Sequence, residues 1–83
     1  MNYIYDTLEV KNISDINESE YFILLEESDI LFKTKNGYDL NLIDYGSRTV
    51  YQKISNNEIK SLKGESIKVD SDRLVQRVKI LDV

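Results

Sequence analysis

Residues 30–45 read ILFKTKNGYDLNLIDY, and the Asn36-Gly37 pair at their centre decides the fold. Asn-Gly between two apolar runs is a strong hairpin signal, because both residues tolerate the backbone angles of a tight reversal. Register follows from sorting the side chains. A two-residue loop, Asn36-Gly37, would set Lys33 opposite Leu40 and Phe32 opposite Asn41, mixing polar and apolar groups on both faces. A three-residue loop, Lys35-Asn36-Gly37, sets Thr34 opposite Tyr38, Phe32 opposite Leu40 and Ile30 opposite Leu42. It also pairs Lys33 with Asp39 across the strands. The second register sorts one clean apolar face and is the expected one.

Working outward, EYFILLEESD precedes the hairpin. With Glu26 to Asp29 as a four-residue loop, Leu25 lies beside Ile30, Ile23 beside Phe32 and Tyr21 beside Thr34. The expectation is an antiparallel meander over about residues 20–44. Its core face would carry Tyr21, Ile23, Leu25, Ile30, Phe32, Tyr38, Leu40 and Leu42. The opposite face would carry Phe22, Leu24, Leu31 and Ile43, interrupted by Lys33, Asp39 and Asn41. A half-solvated sheet is polar on its outer face, so this second surface needs a cover. Either the rest of the chain or a second polypeptide supplies it.

Other strands are legible on each side. YIYDTLEV (3–10), RTVYQKI (48–54) and SIKV (66–69) alternate. QRVKILDV at the end fits both a strand and a helical face, and its β-branched residues favour the strand. SNNEIKSLKGE and the stretch from Ser14 to Glu18 are candidates for single helical turns, Gly64 stopping the first. Alanine is absent, which leans against helices, and so is proline. The fold class is therefore mainly β: one domain over residues 1–83, closed by its N- and C-terminal strands into a small barrel or bent sheet.

Composition excludes more than it assigns. The chain has 83 residues, no cysteine and no histidine. Thiolate chemistry, the commonest metal ligand and the usual general base are therefore absent. No serine sits in a nucleophile elbow, and Asp39-Leu-Asn41-Leu-Ile-Asp44 lacks the glycine and terminal glutamate of a calcium loop. Asp70-Ser71-Asp72 reads as a turn. No enzyme, metal or cofactor is expected. No apolar run approaches a membrane span, and MNYIYDTLEV is unlike a signal peptide, so a cytoplasmic location is expected. The two sequons, at Asn12 and Asn17, then carry no glycosylation. Abundant Ile, Lys, Asn and Tyr suggest an AT-rich genome, such as a low-GC bacterium or its phage.

Charge is uneven. Residues 1–45 hold ten acids against three bases, a net of −7, while residues 46–83 hold eight bases against five acids, a net of +3. The simplest consequence is that the halves pair across the fold. Two functional readings compete with it. The acidic half resembles a row of phosphates, as a nucleic-acid mimic would. The basic half offers Arg48, Lys53, Arg73, Arg77 and Lys79, with Tyr51 for stacking, as a small nucleic-acid-binding barrel would. A pI near 4.7 opposes the second reading.

The reading favoured by the residues is a non-enzymatic protein-binding module, such as an accessory or inhibitor protein of a phage or mobile element. Its apolar patch would be Phe22, Leu24, Leu31 and Ile43, rimmed by Glu20, Glu26, Glu27 and Asp44. Its partner would be another protein or a second copy.

Overall fold

Tyr21 to Leu25, YFILL, has no polar alternation, and such a run suits a strand covered on both faces. The computed structural model, which describes residues 4–81, places it at the centre of the main sheet. Eight strands form: β1 (Ile4–Asn12), β2 (Tyr21–Leu24), β3 (Ile30–Thr34), β4 (Gly37–Leu40), β5 (Tyr51–Ser55), β6 (Glu58–Ser61), β7 (Ser66–Lys68) and β8 (Leu74–Leu81). Six of them make one sheet in the order β1-β8-β2-β5-β6-β7, and β3 with β4 makes a separate two-stranded sheet. All pairs are antiparallel. The chain is thus mainly β and forms one compact unit of 34 × 30 × 19 Å. Tyr3, assigned to the first strand above, lies outside the described residues.

The pleat sorts side chains to two faces, and each face has its own core. Phe22 pairs with Arg77 and Tyr51, and Leu24 pairs with Val75, so these project to one side. There Phe22, Ile59 and Val75 pack with Ile13 and Ile16 from the loop after β1. The Phe22 and Tyr51 rings stack with centroids 6.4 Å apart. Ile23 projects to the other side and packs with Leu25, Val78, Ile43 and Val50. Leu40, Tyr45 and Val10 complete that second core. Each cover is a non-sheet segment: residues 13–20 on one face, and the hairpin with its exit segment on the other.

β8 settles the ambiguity of the last segment in favour of a strand. Its alternation explains why: Val75 enters the first core while Val78 and Ile80 enter the second. It pairs with β1 from Ile4↔Leu81 to Asn12↔Leu74, with a bulge between Thr7 and Val10. Its other edge pairs with β2.

Four expectations are corrected. The meander over residues 20–44 does not form, because β2 pairs with β8 and β5 rather than with β3. The chain leaves the sheet after Leu25, whose N–H bonds to the Leu74 carbonyl. It then enters a 3-10 turn at Glu27–Asp29, where the Asp29 carboxylate accepts the Glu26 N–H at 2.8 Å. This local cap turns the backbone away before β3 begins. The hairpin register also differs: Thr34 faces Gly37, Lys33 faces Tyr38 and Phe32 faces Asp39. The loop is Lys35-Asn36, and Gly37 opens β4 at φ +147, an angle that L side chains rarely adopt. A bulge at Leu31 restores Ile30 opposite Leu40. SNNEIKSLKGE holds no helical turn; it contains β6, and Gly64 at φ +97 closes the turn to β7. Finally, among the described residues no ladder joins β1 to β7, so the sheet ends on those two strands rather than closing as a barrel.

Candidate functional site

The hairpin β3–β4 is the element whose composition and exposure disagree most. Residues directly opposite each other share a face, so Lys33, Tyr38, Leu40 and Ile30 lie on one side, and Phe32, Thr34 and Asp39 on the other. The first side faces the body: Leu40 joins the second core, and Tyr38 is half-buried. The second faces solvent. Phe32 is 57% exposed there, the bulged Leu31 is 57% exposed, and Leu42 just beyond β4 is fully exposed. Three large apolar side chains on one hairpin therefore meet water.

The expected patch is not this one. Phe22 and Ile43 are buried, in different cores, on opposite faces of the sheet. Leu24 is half-buried against the first core. Only Leu31 of the four is open to solvent. The reason is the lost β2–β3 pairing: without it, alternation along β2 and along β3 no longer refers to a common sheet. Phe32 and Leu42, assigned to the core by the sequence, are the exposed members that reasoning missed. The signal that would have found them is Asp29, whose capping of Glu26 marks the chain's exit from the sheet.

The acidic rim fares unevenly. Glu20 is bound by the Arg77 guanidinium, and Glu26 is 3.1 Å from Arg73. Glu27 and Asp44 are exposed, Asp44 capping the 3-10 turn at Tyr45–Ser47 through the Gly46 N–H. For Glu20, burial pushes the carboxyl pKa up, but the Asn17 N–H and Arg77 outweigh it and hold it below its ordinary value.

A third acid–base pair organises the hairpin's base. Asp29 is buried, and Arg48 grips it with two parallel hydrogen bonds of 2.9 and 2.6 Å. These bonds hold the Asp29 carboxyl below its ordinary value, against the opposing effect of burial. Arg48 also donates to the Leu24 carbonyl. The Asp29 carbonyl accepts the Asn41 N–H at 2.8 Å, and the Asn41 side-chain amide donates to the Ser28 carbonyl. One ion pair thus ties the end of β2, both feet of the hairpin and the turn at residues 45–48 together. A buried bidentate pair of this kind specifies geometry more than it adds net stability.

All three of these pairs join an acid of residues 1–45 to a base of residues 46–83. The charge asymmetry is spent inside the fold, and this bears on the candidate nucleic-acid residues. Arg48, Arg73 and Arg77 are paired with acids, and Lys53 donates to the Ile16 carbonyl at 2.8 Å. Tyr51 stacks on Phe22, half-buried. Lys79 remains exposed. The structure therefore does not gather these groups into a basic surface.

Among the described residues no group of three or more acids is placed to hold a metal ion, and no helix is long and apolar enough to cross a membrane. No protein-family model, curated protein or solved structure matches this chain.

Proposed function

We propose that the protein is a small, non-enzymatic cytoplasmic binding module that acts by occupying the surface of a partner protein. The contact is the solvent side of the hairpin, with Phe32 and Leu31 as anchors and Leu42 beside them. The observation that carries this reading is the exposure of these three side chains, on a chain whose buried polar groups are otherwise well satisfied. Exposed apolar groups concentrated on one unit mark contact surfaces, whereas singly scattered ones do not. Aromatic and aliphatic anchors of this kind supply most of the energy in protein interfaces. The free edge of β3 adds unpaired backbone groups to the same surface, and strand edges are a recurrent means of recognition.

The test pairs stability with capture. Leu31→Asp and Phe32→Ser variants keep the unfolding midpoint of the parent and lose the partner recovered with the parent protein from its native host. Parent and variants recovering the same partners equally well would sink the reading. Sedimentation velocity identifies the case in which the partner is a second copy, since the parent is then dimeric and Leu31→Asp monomeric.

A further inference from the structure

The other side of the same hairpin carries a second feature. Among the described residues, β4 pairs only with β3, and β1 pairs only with β8. Each strand therefore leaves one edge of N–H and C=O groups without a ladder. Cα atoms of β1 and β4 come within 8 Å, yet no ladder joins the two strands. A groove of about 420 Å³ lies between them. One wall is the continuous backbone of residues 36–40; the other includes Glu9 and Val10 at the β1 bulge.

The groove has a definite chemistry. Its charged lining residues are Glu9 and Asp39, one from each strand, both exposed and neither engaged by an ion pair or side-chain hydrogen bond. The Tyr38 and Tyr45 rings line it as well. Tyr38 already attracts a cation, since the Lys33 ammonium lies 5.8 Å from its ring centroid. Burial raises the Tyr45 phenol pKa, so that ring stays neutral. The nearest bases are otherwise committed or outside. Arg48 is neutralised by Asp29, and Lys11 lines an adjoining cleft together with Asp15. Two unpaired carboxylates beside aromatic faces attract a guanidinium or an ammonium group.

We infer that the groove between β4 and β1 receives an extended peptide segment of a partner, pairing along the free edge of β4 and placing an arginine or lysine side chain between Glu9 and Asp39. A strand bonded to both edges would need roughly 9.5 Å between them, twice the ordinary strand spacing. The narrower approach restricts backbone pairing to β4 and leaves the β1 side to the charged contact. This inference rests on the protein being a binding module, but it uses the face opposite Phe32.

The experiment is an amide-shift titration of isotope-labelled protein with the capped pentapeptide Thr-Val-Arg-Val-Thr, and with its Gln-for-Arg counterpart. The arginine peptide shifts Gly37 to Leu40 and Glu9, and binds about tenfold more tightly than the glutamine peptide at low salt. The E9Q/D39N double variant, whose dispersed spectrum verifies its fold, loses that preference. Leu31→Asp leaves the titration unchanged, so failure here and failure of the Phe32 surface are separable. Absence of shifts, shifts confined to other strands, or equal affinity for the two peptides would overturn the inference.

Discussion

Phe22 and Phe32 lie ten residues apart in runs of similar composition, YFILL and ILFKT, yet the first is fully buried and the second is 57% exposed. The difference is not in the local sequence. β2 has a strand on each side, β8 and β5, and a cover on each face. β3 has β4 on one side and solvent on its outer face. Hydrophobicity sets what a run tends to do, while topology sets whether neighbours arrive to let it. β2 is what an apolar run looks like when both faces find partners; β3 is what it looks like when one does not.

The contrast can be broken most strongly at its buried end. Phe22→Ala removes a fully buried ring from the first core and is expected to cost about 3–5 kcal/mol, whereas Phe32→Ala costs well under about 1 kcal/mol. Parallel urea titrations measure both, and similar losses would erase the distinction. On a domain of this size the Phe22 variant approaches the whole stability margin.

The next effect is at the hinge between the two runs. Asp29→Asn takes the charged partner from Arg48 and is expected to cost about 2–3 kcal/mol. The loss is expected to appear first as faster amide exchange in β3 and β4, because the pair fixes the hairpin's feet. Its pH dependence is a further check. Asp29 and Glu20 both titrate below their ordinary values of 3.8 and 4.5 in the folded state. Their stabilisation is therefore complete above those values and is lost as the pH falls through the lowered ones. The gap between parent and Asp29→Asn should narrow on acidification below pH 4 and stay constant above pH 6.

Smaller again is Gly37→Ala. Space is open around Gly37, but φ is +147, so the cost is conformational, about 1 kcal/mol, and local to the hairpin. The smallest effect belongs to Leu31→Asp, within about 0.5 kcal/mol by thermal melting, because the side chain it replaces is already in water. A drop several times larger would show that Leu31 packs against the body, and the contrast with β2 would fail.

Much of this architecture was legible from the residues. The strands at residues 48–54, 66–69 and the C-terminus, the Asn36-Gly37 reversal and the pairing of early acids with late bases follow from alternation, turn chemistry and Coulomb attraction. What was not legible is which strands become neighbours. Alternation reports that Phe22 and Ile23 point apart, and it is silent on whether the surface under each is Ile13 or Ile43. Proximity in sequence favoured β2 beside β3, and the cap at Asp29 overrode it. A candidate contact surface inferred from faces inherits any error in adjacency, which is why Leu31 alone survives from the first patch.

One consequence follows from the position of β8. It lies between β1 and β2, so two strands made early have no hydrogen-bonded contact until residues 74–81 exist. On the ribosome, Phe22 and Ile23 must wait for nearly the whole chain before either finds a dry environment, and the central seam of the sheet can close only after translation has passed them by more than fifty residues. Folding is then governed by a late, long-distance insertion, the slow regime for β topologies, and the nascent chain is most prone to stray association in that interval.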